Sequence, residues 1–407
     1  MISKIQFLKK HSKIALSYFL LIAFLGVLLR FFSIVDFSIN YRFIVHTHSH
    51  IALLGWVYTA LTTLIYKIYL NELSINIKYK RLFWCTQITI IGMLFTFPFT
   101  GYALFSIIFS TLFLITSYLF ANLVFKYTPK KYKQLNSYQL IRVSLWYMVI
   151  SSIGPWALGI IMKTAGNTSD LYRNAIYFYL HFQYNGWFII ALFGVFFYVL
   201  EKNKIIISKK VFKKFFWLIN IGVVLTFGIS LLWMKPNKLI FVLSILGSLF
   251  QIFAYFFLLN GLKPHNLKIK PIFSQFSFQL LRIVAVLFLL KLGFQLLGST
   301  PYFANLISYN IDFIIGYLHW IFLGVISISL LLFLNQSKLI VLSKKNIIIF
   351  LIGFFLTEIF MFYKGVVVWL RVSLLNNYFI FLVVASSILL IGILSIFIHQ
   401  FFQKKDK

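Results

Sequence analysis

The sequence predicts an all-α, polytopic integral membrane protein of about twelve transmembrane helices. Three observations carry that expectation. Of 407 residues, 61% are hydrophobic and 11% charged, against a charged share of about 25% in an ordinary soluble chain. Apolar runs of roughly 20 residues, the length that crosses a bilayer, recur from Ile14 to Phe402. Lysine and arginine sort between alternate loops, as membrane topology requires.

The spans fall at roughly 14–34, 43–68, 82–100, 102–125, 138–162, 174–200, 212–234, 238–259, 276–298, 311–334, 346–364 and 378–402. The loops between them are too short for a second domain, so residues 1–407 read as a single transmembrane domain. The first run is long enough to span and lacks a small-residue cleavage site, so it reads as a span and not a leader. Spans three and four should form a tight hairpin through Phe99-Thr100-Gly101, and spans seven and eight a turn at Lys235-Pro236-Asn237-Lys238.

Most of the 38 basic residues fall before span one or after even-numbered spans, from Lys4, Lys9 and Lys10 to Lys404, Lys405 and Lys407. The opposite loops and span ends hold Arg30, Arg42, Lys163, Arg173, Lys235, Lys238, Lys364 and Arg371. Both termini are therefore expected in the cytoplasm, with the loops Val35–Tyr41, Ala165–Arg173 and Ser299–Asn310 outside. The net charge of +31 follows from this sorting and is not a nucleic-acid signature. The expected partner is the lipid bilayer.

Composition also excludes chemistries. Cys85 is the only cysteine, so disulfides, zinc ribbons, iron–sulfur clusters, covalent haem attachment and a paired-cysteine copper site are out. Seven Asp plus Glu leave almost no paired carboxylates for a hydrolase.

The informative stretch is YRFIVHTHSHIALLGW, Tyr41–Trp56, with His46, His48 and His50 inside one end of span two and Arg42 at its edge. An intramembrane histidine is a functional-site hypothesis by default, and nitrogen ligands at one depth suggest haem or a transition metal. Span six carries His181 and span ten His319, each near its start. The three spans run in the same direction. At 1.5 Å per residue His48 lies ~9 Å below Arg42, His181 ~12 Å below Arg173 and His319 ~10 Å below Asp312. His46 and His50 share a face one turn apart, while His48 points away from it, so the three cannot all serve one ligand.

Plainer readings stand beside these. His11, His265 and His399 read as interfacial residues reaching water. His181 or His319 alone reads equally well as an interhelical hydrogen bond. Trp56, Trp187 and Trp320 read as packing. Arg282, Lys291 and Glu358 lie within spans nine and eleven, where pairing with one another or with propionates is expected ahead of a proton route.

At spans two, six and ten the sequence resembles subunit I of the haem–copper oxidase superfamily. It is nearest to the cbb-type and nitric-oxide-reductase branches, and the haem–copper membrane proteins of the nitric-oxide response resemble it about equally well. That family has a twelve-helix bundle with ligand histidines on helices two, six, seven and ten, and an arginine ahead of the helix-two histidine, as Arg42 is here. Matching on Gly55-Trp56 implies His48 as the low-spin haem ligand, with His46 the alternative. Matching on Leu323-Gly324 implies His319 as the opposite axial ligand, and places Tyr317 where the active-site haem ligand belongs. His181 stands where helix six supplies a copper ligand, and with His46 or His50 it would hold copper or a second haem. Span seven has no histidine, so the dinuclear oxygen-reducing centre is expected to be incomplete and enzymatic turnover is left open.

The resemblance implies a b-type haem, partner respiratory subunits or an electron donor such as quinol or cytochrome c, and a bacterial-type inner (cytoplasmic) membrane. The competing class is non-enzymatic: a haem or copper carrier, an assembly factor, or a transporter with a histidine-lined pathway. An inverted-repeat transporter should show matched helix breaks, and the Ser152-Ile153-Gly154-Pro155 break in span five has no clear counterpart in span eleven.

Overall fold

The computed structural model describes residues 2–71 and 75–402. Lys404, Lys405 and Lys407, counted above toward the cytoplasmic side, lie outside the described residues, as does the side chain of Lys4. Every element among the described residues is helical. Twelve helices are long and apolar enough to cross a membrane: Gln6–Phe31, Tyr41–Tyr69, Asn76–Thr100, Leu104–Tyr127, Asn136–Thr164, Asp170–Lys202, Lys209–Met234, Lys238–Ile272, Gln275–Gly298, Ile311–Gln336, Lys344–Leu370 and Tyr378–His399. They match the expected spans one for one, and the chain is a multi-pass membrane protein.

The differences lie at the ends. Helix one starts at or before Gln6 rather than at 14, because a helix can run past the apolar stretch into a lysine-rich turn. The expected loop 299–310 contains a helix, Pro301–Tyr309, started by a proline at its first position, where the missing N–H is harmless. Both predicted turns are present. Gly101 takes φ +60, the left-handed region open to glycine, and a Cβ there would overlap the Phe43 ring. Lys235 closes helix seven in the left-handed conformation, and the Asn237 side chain accepts from the Leu239 N–H at 3.0 Å.

The chain divides into two compact units, one formed by residues up to Pro129 and from Leu330 onward, the other by Lys130–Ser329. In the first, span two packs against span one, with Phe19 stacked on Trp56 at 4.5 Å between ring centroids. Spans eleven and twelve meet backbone to backbone at Gly353 and Gly392. Span one also touches span eleven, through Phe19 and Phe350. In the second unit, Tyr147 of span five donates to the Asn220 carbonyl of span seven at 3.2 Å. Span five breaks at Ser152 and resumes at Ile153, as its Gly-Pro pair predicts. Span seven finishes as nine residues of 3-10 helix, Thr226–Met234, much longer than such runs usually are.

Spans two, six and ten are the most enclosed. Buried residues make up 89%, 78% and 72% of their apolar windows, while no other span exceeds 44%. These three carry His46, His48, His50, His181 and His319.

Candidate functional site

The histidine-bearing spans share a local geometry that the sequence reading did not register. In each, the α-helix ends on a histidine and an eight-residue π-helical segment follows: Ile51–Tyr58 after His50, Phe182–Ile189 after His181, Trp320–Ser327 after His319. The pattern His-x4-Gly recurs with it, at Gly55, Gly186 and Gly324. A π turn widens the helix by one residue and re-aims the side chains before it, and such insertions concentrate at functional sites. Hydroxyls support the widened turns from within, with Thr59 reaching the Leu54 carbonyl at 3.4 Å and Ser327 the Phe322 carbonyl at 2.7 Å. This register makes His50 the counterpart of His181 and His319, two residues on from the His48 selected by the Gly55-Trp56 match.

In the first unit, Asn40 caps span two by accepting from the Arg42 and Phe43 N–H groups at 2.9 and 3.3 Å. His46 and His50 do share a face. It looks onto the span three–four hairpin, with the His46 ring 4.7 Å from Tyr102 and the His50 ring 4.4 Å from Phe97. His50 Nδ1 lies 2.8 Å from the His46 carbonyl, and its Nε2 3.3 Å from the Tyr102 hydroxyl. Both His50 nitrogens are therefore engaged. His48 points the other way, as its offset requires. Its ring lies against Gly26 and the Ile22 backbone of span one, with Cε1 3.4 Å from where a Cβ at position 26 would stand.

Beside it is a second group of polar residues. Arg30, one turn beyond Gly26, acts electrostatically on both His48 and Glu358 and donates from Nη2 to the Met361 sulfur at 2.9 Å. Glu358 and Met361 sit three residues apart on one face of span eleven. Neither Glu358 carboxyl oxygen has a hydrogen-bond partner. The pairing expected of Glu358 is thus electrostatic only. Arg30 and Met361 were missed in the sequence because each reads singly as a span-end cation and an apolar residue.

The second unit holds a buried hydrogen-bonded chain. His181 donates from Nε2 to the Val223 carbonyl at 2.8 Å, and its Nδ1 faces the Asn185 amide nitrogen at 3.3 Å. Lys291 donates to Asn185 Oδ1 at 2.7 Å and to Gln295 Oε1 at 2.5 Å. His181, Asn185, Lys291 and Gln295 are 3%, 2%, 0% and 5% exposed. Lys291 is thus held by neutral amides, where pairing with other span charges or propionates was expected. Asn185 and Gln295 had a readable signal, each standing one helical turn from a buried titratable residue.

His319 presents its ring differently from His181. Its Nδ1 is 2.9 Å from the Ile315 carbonyl, the same i−4 arrangement as His50, and a proton donated there leaves the lone pair on Nε2. That is the tautomer and orientation of a histidine prepared to ligate a metal. Trp320 is fixed by donation to the Leu287 carbonyl at 3.0 Å. The donor set therefore suits haem at His319. It does not suit copper at His181, whose nitrogens are both committed. Among the described residues no three His, Cys, Asp or Glu side chains gather to hold a metal ion. His11, expected to reach water, is instead 2% exposed and stacked on Phe83 at 3.4 Å.

Neither a protein-family model nor a curated protein matches the chain.

Proposed function

We propose that the chain is a haem-binding membrane redox protein working in electron transfer, with His319 an axial ligand of a b-type haem and His48 the axial ligand from span two. The observation that carries this is the His319 ring, fixed through Nδ1 by the Ile315 carbonyl at 2.9 Å, which sets its tautomer and its rotation on span ten. The choice of His48 comes from the sequence, by its depth and by its register on Gly55-Trp56. His50 is less suited, since the Tyr102 hydroxyl faces its Nε2.

A haem held by two imidazoles supplies one-electron transfer, with a potential set by burial and by hydrogen bonds to its ligands. The chain's own part is to fix the rings and exclude water. Backbone carbonyls orient the imidazoles, and the three histidine spans are the most enclosed. The proposed setting is a respiratory-type inner membrane with both termini cytoplasmic and a quinol or cytochrome c donor. Copper has no place in the reading, because His181 is engaged on both sides.

The test is an optical spectrum of protein purified from haem-replete cells. Dithionite should give sharp low-spin b-type bands that carbon monoxide barely changes. His319→Ala and His48→Ala should each become high-spin and bind carbon monoxide, or lose haem, because alanine offers iron no ligand atom. His181→Ala and His50→Ala should keep the low-spin bands. Absence of a Soret band would overturn the proposal. Substoichiometric haem with a phenotype confined to uptake would favour a carrier.

A further inference from the structure

Among the described residues Glu358 is the one acidic side chain set deep in a span. Asp36, Asp170, Glu201 and Asp312 stand in loops or near span ends, and Glu72 and Asp406 lie outside the described residues. Within Lys344–Leu370, Glu358 is ~21 Å along the axis from one end and ~18 Å from the other. It is 2% exposed, and neither oxygen has a hydrogen-bond partner. A polar side chain this deep normally finds a partner or a function.

The surroundings explain what it can do. Thr357, its neighbour in sequence, is turned away, donating to the Gly353 and Phe354 carbonyls at 2.8 Å. Span twelve, packed along span eleven, offers no titratable side chain between Phe379 and Ile398. From span one the facing charge is Arg30, which acts electrostatically on Glu358 while its Nη2 is given to Met361. Arg30 also acts electrostatically on His48 of span two. The ionised carboxylate thus has a counter-charge within reach but no hydrogen bond fixing it in that state. The neutral acid has an apolar setting that accepts it. Neither form is locked, and among the described residues no three His, Cys, Asp or Glu side chains gather there to hold a metal cation.

We propose that Glu358 takes up and releases a proton inside the membrane, with Arg30 as counter-charge of the ionised form. On uptake one carboxylate oxygen gains the proton and the group becomes a neutral acid. On release the proton returns to water and the carboxylate faces the guanidinium again. No step uses haem, so this proposal and the haem reading fail independently.

The experiment is reaction of the purified full-length protein with dicyclohexylcarbodiimide, which partitions into apolar surroundings and adds only to a protonated carboxyl. The acid's proton moves to a carbodiimide nitrogen as the oxygen bonds to the central carbon. With only seven side-chain carboxyls in the chain, mass spectrometry assigns the adduct directly. Glu358 should be modified, with a rate that falls ~tenfold per pH unit once pH passes its titration point, followed from about pH 5 to about pH 9. The adduct should vanish in Glu358→Gln. In Arg30→Gln, where the carboxylate loses its counter-charge, modification should persist to higher pH than in wild type, while Arg30→Lys should restore the wild-type profile. The wild-type profile is decisive even if a variant fails to fold. No adduct at Glu358, or a rate independent of pH, would overturn the proposal. Suppression by sodium instead of by pH would make this a metal-cation site and overturn it as well. An Arg30→Gln profile identical to wild type would remove Arg30 from it.

Discussion

Replacing Lys291 by methionine should harm the protein far less than replacing the asparagine that holds it. Lys291 is fully enclosed, and its ammonium donates to Asn185 Oδ1 and Gln295 Oε1. Lys291→Met loses two hydrogen bonds to a charged donor, each about 1.5–3 kcal/mol. It also removes a charge whose burial costs several kcal/mol, so the net change should lie within about 1 kcal/mol of zero. Asn185→Leu leaves the ammonium with one amide acceptor and takes the amide from His181 Nδ1. Stranding a buried charge in this way destabilises by about 3–5 kcal/mol. In the double variant no charge is left to strand, so much of that loss should return, as a coupling of about 2 kcal/mol. Thermal unfolding of the four proteins in one detergent measures the cycle. Equal losses in the two single variants, adding in the double, would refute the reasoning and show that Asn185 and Lys291 act separately.

Three more expectations follow from the same structure. Gly353→Ala and Gly392→Ala should each destabilise by about 1–3 kcal/mol, since the new methyl meets backbone that cannot yield: at 392 it would stand 2.5 Å from the Phe350 nitrogen, and at 353 it would overlap Leu389. Gly159→Ala, with nothing within 4 Å, is the control and should be neutral or slightly stabilising in the same melts. With Cys85, which is exposed, first changed to serine, cysteines at Thr168 and Asn203 should be labelled from opposite sides of the membrane, and labelling of both from one side would break the twelve-span topology. An oxygen electrode trace on reconstituted protein with an artificial donor should show no rapid turnover, because span seven lacks histidine and both His181 nitrogens are engaged.

The twelve spans were legible because crossing a bilayer depends on quantities a sequence states outright. A run of about 20 apolar residues forms a helix wherever it sits, since lipid offers backbone groups no other partner. The Gly101 and Lys235 turns were legible for a similar local reason, each set by the backbone its own residues accept or by a neighbouring cap. The opposite facing of His48 and His46/His50 also needed only helical periodicity. By contrast, the sequence placed His48, His181 and His319 at similar depth but said nothing of what their rings bond to. Only the packed structure shows that His181 is engaged at Val223 and Asn185 while His319 is tied to Ile315. That Lys291 would find Asn185 and Gln295, or that Glu358 would share Arg30 with His48, was equally closed to sequence reading. Span membership is fixed by composition over one turn after another of a single helix. Hydrogen-bond partners are fixed by which helices pack together and at what rotation, and that depends on contacts between residues hundreds of positions apart.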